Sequence, residues 1–137
     1  HFFQTTSAEV ADLVRKGIRV LEGLGASVRE VSIPLAGVST YAANVITRAE
    51  SAAYHEHWLA TQGDDYSPDV RHRLETGFYF SAVDYIKAQK IRTLVRREFD
   101  QVMEDVDLLV TPTTPIPASP IGSPEPLGAP GSEQEGI

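Results

Sequence analysis

Residues Asp107 to Gly122 read Asp-Leu-Leu-Val-Thr-Pro-Thr-Thr-Pro-Ile-Pro-Ala-Ser-Pro-Ile-Gly, and the fold class turns on this stretch. An acidic residue leads into the apolar run Leu108-Leu109-Val110, which stops at a Thr-Pro-Thr-Thr-Pro turn. That pattern suits a buried strand whose carboxyl end opens into a rigid polar loop, a common position for a binding site in α/β proteins.

Working outward, Ser7 is placed as a helix N-cap with Glu9 in the first turn. Val10, Leu13, Val14, Ile18, Leu21 and Leu24 then recur at helical spacing, and Gly25 supplies the stop. Val28, Val31 and Ile33 before Pro34 predict a short strand from Ser27 to Ile33. A long Ala-rich helix is expected from Leu35 to Ala60, apolar around much of its circumference at first and so buried on more than one side. Ser67-Pro68-Asp69 starts a short helix that Gly77 breaks. A last helix runs from Ser81 to Asp105, with Ala88, Ile91, Val95, Phe99, Val102 and Val106 as its inner stripe. The expectation is an α/β arrangement of about two strands and four helices, in which a larger mixed sheet covered by helices is implied. Pro124, Pro126, Gly128, Pro130 and Gly131 predict a loop or disordered end over residues 123–137.

A chain of 137 residues suits one domain, and 42% apolar with 23% charged residues is a soluble composition. The net charge of −7, without a dominant basic stripe, argues against direct nucleic-acid binding. The absence of cysteine removes disulfides, thiolate metal sites and a Cys nucleophile. No apolar run approaches the roughly 20 residues of a membrane span. The chain begins His-Phe-Phe-Gln, has Met103 as its one methionine and ends Glu-Gln-Glu-Gly-Ile, so a segment of a longer protein is expected.

His55-Glu56-His57 places two histidines on different faces of a helix, and the zinc-protease spacing His-Glu-x-x-His is absent, so no metal site is expected. Lys87, Lys90, Arg92, Arg96 and Arg97 precede Glu98, Asp100, Glu104 and Asp105 on the last helix. That order opposes the helix dipole and calls for compensation from outside the helix. Arg92, beside the apolar stripe, is also placed for a structural ion pair. Arg71, His72 and Arg73 near a helix end could clamp a carboxylate, or could simply be solvated, since the motif offers no paired acid. There is no Gly-x-Ser-x-Gly elbow, phosphate-binding glycine loop or Gly-rich serine cluster.

Taken together, these blocks resemble the amidase signature family. Leu24-Gly25-Ala26-Ser27-Val28-Arg29-Glu30-Val31 with Ile33-Pro34 is similar to its Leu-Gly-Ala passage. Ala49-Glu50, Tyr66 to Gly77, and Asp84-Tyr85 with Ala88 and Arg92 continue it in order, and Asp107 to Gly122 is similar to its Pro-Thr block. The resemblance implies an amide hydrolase with a Ser–cis-Ser–Lys triad, in which lysine activates the nucleophilic serine through the bridging serine. It also implies that the triad lies upstream, outside this partial domain over residues 1–137, so no catalytic residue is assigned here. Ser81 and Ser119 lack the lysine–serine context of that triad.

For substrate contact the resemblance implies Arg73 as the carboxylate-holding arginine, with Arg71 as the other register, and Gly77, Thr111, Pro112 and Thr113 lining the acyl side. It implies a small-molecule amide substrate, no cofactor, a cytoplasmic location and a homodimer of the full-length protein. Two other readings stand beside it: the A subunit of a tRNA-dependent amidotransferase, and a non-catalytic α/β interaction module with a Pro-rich tail. The short passage from His55 to Tyr66 is more like the general amidases than the amidotransferase subunit.

Overall fold

The computed structural model describes residues 1–121. It contains four helices: α1 (Ala8–Gly23), α2 (Ala36–Gln62), α3 (Pro68–Glu75) and α4 (Ala82–Met103). Single 3-10 turns at Gly63–Asp65 and Thr76–Tyr79 flank α3. The chain divides into two units, one of His1–Ser32 with Val102–Ile137 and one of Ile33–Gln101. The loop expected over residues 123–137 lies outside the described residues.

In the first unit α1 begins as its sequence predicts. The Ser7 hydroxyl accepts from the Val10 N–H at 3.5 Å, and the Ser7 N–H donates to the Pro115 carbonyl at 2.7 Å. The second bond ties the start of α1 to the Pro-rich loop. At the other end Gly25 adopts φ 100°, and the Ala26 N–H closes onto the Leu21 carbonyl at 3.0 Å. A left-handed residue after the last turn satisfies carbonyls that the helix leaves open. Ala11 is buried, whereas Leu13 and Leu24 of the predicted apolar face are exposed.

The two predicted strands, Ser27 to Ile33 and the run before Thr111, are not strands: among the described residues the structure has none. A strand exists only through a hydrogen-bond ladder to a neighbour, and these segments have no ladder partner. Within this unit Arg29 reaches only the chain just before the second segment, donating to the Asp105 carbonyl at 3.0 Å and approaching its carboxylate at 3.4 Å. That link is made by a side chain, so it fixes no register. Val28 and Leu108 are accordingly exposed.

The second unit is built on α2 and α4. Ala42, Val45 and Ile46 of α2 pack with Ala88 of α4, and Phe80, Tyr85 and Ile91 close around them. Alanine on both helices lets their backbones approach closely. Val38 and Tyr41, about two turns and one turn before Val45 on α2, are exposed, so the expected burial on several sides is not seen there. The inner stripe of α4 holds its predicted course, with Ala88 and Val95 buried and Ile91, Phe99 and Val102 half-buried.

Polar groups fasten the ends of these two helices. The N-cap position of α2 is Leu35, which offers no side-chain acceptor, and Glu98 of α4 accepts its N–H at 2.8 Å instead. An acid at a helix N-terminus satisfies an open donor and complements the dipole. Ser81 and Asp84 cap α4 reciprocally, the Asp84 N–H donating to the Ser81 hydroxyl at 3.1 Å and the Ser81 N–H to the Asp84 carboxylate at 3.2 Å. Tyr85 donates to Glu50 at 2.7 Å and accepts from Gln89 at 2.9 Å, joining α4 to the middle of α2.

Candidate functional site

The arginine-bearing helix α3 is short and is fixed at both ends. Pro68 at its first position follows Ser67, whose hydroxyl donates to Asp69 at 2.7 Å. That bond, with backbone N–H donors behind it, holds the Asp69 carboxyl below its ordinary range. Next comes Arg71, which donates through Nε to Glu75 and through Nη1 to Asp64, both at 2.8 Å. The charge and hydrogen bonds of Glu75, then those of Asp64, raise the Arg71 pKa further above its ordinary value.

Gly63 leaves the guanidinium room on this side. A Cβ at position 63 would lie 3.2 Å from the Arg71 guanidinium carbon and 3.4 Å from its two terminal nitrogens. Arg71 therefore bridges from α3 to the turn that ends α2. Contrary to the expectation of no paired acid in this motif, Glu75 is the i+4 partner of Arg71, a spacing visible in the sequence. Asp64 is the less legible partner, because only the 3-10 turn brings it back toward α3.

Arg73, two residues on, is exposed and forms no ion pair among the described residues. Its carbonyl accepts from the Thr76 hydroxyl at 2.7 Å, and that hydroxyl in turn accepts from Arg48 of α2 at 3.0 Å. Gly77 follows at once and is buried against α2, where a Cβ would collide with the Arg48 carbonyl and Ala52. Arg73 is thus held between the Arg71 clasp and the Gly77 contact, exposed and in no ion pair among the described residues, its charge felt by Asp69 one turn earlier.

Thr111, Pro112 and Thr113 belong to the other unit. Pro112 is buried, while the two threonines flanking it are exposed. The loop is braced by Thr114 donating to the Ile116 carbonyl at 3.0 Å and by the Pro115 carbonyl accepting from Ser7. Arg73 and Gly77 are therefore brought together within one unit and the Thr-Pro-Thr run within the other.

The remaining predicted features resolve differently. His55 is half-buried with Nδ1 2.8 Å from the Tyr66 hydroxyl, and His57 is exposed. Among the described residues no group of three metal-ligating side chains converges. Among the described residues Arg92 forms no ion pair; it is exposed and donates to Gln89 at 3.4 Å. Among the described residues no helix is long and apolar enough to cross a membrane.

Comparison with known proteins places the chain among amidases and amidotransferase A subunits by similarity. An amidase of Pseudomonas putida is 38% identical over 122 residues, covering 89% of this chain. The glutamyl-tRNA(Gln) amidotransferase A subunits of a Roseiflexus species and of Staphylococcus carnosus are 34% and 33% identical, over 90% and 83% of the chain. A crystal structure of an amidase superposes with a TM-score of 0.78 at 34% identity, covering 87% of this chain and 27% of that one. The chain spans 26% to 30% of the length of these three curated relatives. The family model for amidases matches residues 1–135, nearly the whole sequence, and on that match the chain belongs to the amidase family.

Proposed function

We propose that this chain is part of a longer hydrolase that cleaves carbon–nitrogen amide bonds through a Ser–cis-Ser–Lys triad carried outside the segment. The segment supplies scaffold and one wall of the substrate pocket. Arg73 holds a substrate carboxylate, and Gly77, Thr111, Pro112 and Thr113 shape the acyl side. The full-length enzyme takes a small-molecule amide, works in the cytoplasm as a homodimer, and uses neither metal nor cofactor.

The observation that carries this reading is the family match in sequence order across residues 1–135. The local geometry supports the choice of arginine. Arg71 is committed to Glu75 and Asp64, whereas the Arg73 guanidinium stands exposed with its donors free for a carboxylate.

A second reading is favoured by the names of several relatives. Glutamyl-tRNA(Gln) amidotransferase A subunits are among them, at 29% to 35% identity. In that reading the same wall serves a glutaminase that passes ammonia to charged tRNA with partner subunits.

The test compares the full-length enzyme with this chain alone on a panel of simple amides and on glutamine. Hydrolysis of simple amides by the full-length enzyme, and no turnover by the chain alone, is the expected result. Turnover by the chain alone would overturn the placement of the nucleophile outside it. Activity confined to glutamine, and dependent on partner subunits, would move the assignment to the amidotransferase.

A further inference from the structure

Helix α3 has only eight residues, and none of them is buried. Isolated helices shorter than about 12 residues are marginal in water, so the contacts of α3 with its own unit decide where it lies. The Arg71 clasp fastens it to the turn after α2. Its other end is fastened by one residue of α2, Arg48, in two ways. The Arg48 carbonyl packs on Gly77, in the space that a Cβ there would need. The Arg48 guanidinium donates through Nη1 to the Thr76 hydroxyl at 3.0 Å, and that hydroxyl donates to the Arg73 carbonyl at 2.7 Å. Every residue of this chain of contacts lies in the second unit.

These bonds act where the helix is incomplete. The last carbonyls of a helix have no partner within it, and the Thr76 hydroxyl supplies one for Arg73. A hydroxyl has one proton and two lone pairs, so Thr76 gives its proton to Arg73 and receives Arg48 on a lone pair. A charged donor polarises the hydroxyl and strengthens the bond that it makes in turn. The Arg48 charge also stands at the carboxyl end of α3, where a cation complements the helix dipole. The Arg73 backbone is thus tied to α2, while its side chain is exposed and in no ion pair among the described residues.

We infer that Arg48 and Thr76 are positioning residues for Arg73, fixing the peptide from which its guanidinium projects toward a substrate carboxylate. The inference rests on the proposed role of Arg73 in holding that carboxylate. Paired hydrogen bonds between a guanidinium and a carboxylate require alignment, and a shift of about 0.5 Å or 10–20° loses the productive geometry. The Arg73 side chain pivots on its own Cα, so a small rotation of that peptide swings the guanidinium at the far end. A neutral amide makes no such pair and is indifferent to the tie.

The experiment measures kcat and KM of the full-length enzyme for glutaramate, an amide bearing a carboxylate, and for pentanamide, its neutral counterpart. Thr76→Val keeps the shape of the side chain and removes both bonds. It should raise KM for glutaramate about three- to fivefold, with kcat unchanged and pentanamide unaffected. Thr76→Ser keeps the hydroxyl and should restore the parent values. Arg48→Ala, which leaves the carbonyl on Gly77 in place, should act as Thr76→Val does but more weakly. Arg73→Ala, measured alongside, should raise KM for glutaramate by more than either. If Arg73→Ala separates the two amides and Thr76→Val does not, or shifts both alike, the positioning role is overturned and the reading of Arg73 stands. Failure of Thr76→Ser to restore the parent values overturns it in the same way. If Arg73→Ala leaves glutaramate unchanged, or the parent enzyme turns over neither amide, the underlying reading fails and the positioning role with it. Arg48 is an exposed position, so Arg48→Ala carries the comparison if Thr76→Val does not fold.

Discussion

The carbonyl oxygen of Arg48 occupies the space in which a side chain on residue 77 would begin, so Gly77 is required by packing against α2. The obstacle is backbone together with Ala52, neither of which can swing aside as a long side chain would. Gly77→Ala is therefore expected to destabilise the fold by about 3 kcal/mol, the upper end of overpacking costs. The urea midpoint should fall with an unchanged slope. A shift equivalent to less than about 0.5 kcal/mol, the level of a neutral surface change, would mean that α2 and the turn separate freely.

How far the fold was legible depends on how local each signal is. Ser7 and Gly25 punctuate α1 through bonds to residues a few positions away, and Pro68 starts α3 through its fixed φ, so these helices stand where the pattern placed them. The strand expected from Ser27 to Ile33 and the one before Thr111 fail for the opposite reason. Alternating or continuous apolar residues describe a segment fit for a sheet, but the ladder needs a partner that the pattern cannot supply.

The candidate site divides along the same line. The Arg71–Glu75 pair follows from i,i+4 spacing, and the break at Gly77 follows from composition. Asp64 and Gly63 join the Arg71 clasp only because the 3-10 turn folds back, and Arg48 reaches Thr76 from 28 residues away. Neither relation leaves a periodic trace in the sequence.

The clasp distinguishes two arginines that the sequence left as alternatives. In the full-length enzyme Arg73→Ala should raise KM about tenfold for amides that carry a free carboxylate and leave neutral amides unaffected, as loss of one charge-assisted contact at an exposed site would. Arg71→Ala should lower thermal stability, by less than Gly77→Ala, and move charged and neutral substrates together. The ratio of kcat/KM values for the two substrate types reads the difference. Loss of charge discrimination in the Arg71 variant alone would assign the substrate contact to Arg71.

The Ser81–Asp84 cap gives α4 an acid-sensitive start. The Ser81 hydroxyl, then its N–H, holds the Asp84 carboxyl below its ordinary value of 3.8. A folded-state pKa below the unfolded one stabilises fully above the unfolded value and loses that contribution as pH falls through the folded value. Asp84→Asn should therefore be less stable than the parent sequence at neutral pH, with the difference closing as pH falls below 3.8 and through the lower folded-state pKa. Urea midpoints taken across that range check it. A difference that stays constant with pH would show that the cap acts through geometry without the charge.

Three glycines around α1 separate backbone conformation from packing. A Cβ at Gly17, Gly23 or Gly25 would meet no atom within 4 Å, yet Gly25 alone carries a positive φ, of 100°. Space being equal, the substitutions differ only in what they ask of the backbone. Gly17→Ala, inside the helix, should stabilise by about 0.5–1 kcal/mol through improved helix propensity. Gly25→Ala should destabilise by about 1–2 kcal/mol, because an L-residue is strained at that φ and the turn closing onto Leu21 depends on it. Opposite shifts in thermal midpoint for the two variants are the expected result. Shifts of the same sign would mean that the left-handed turn after α1 gives way when residue 25 acquires a side chain.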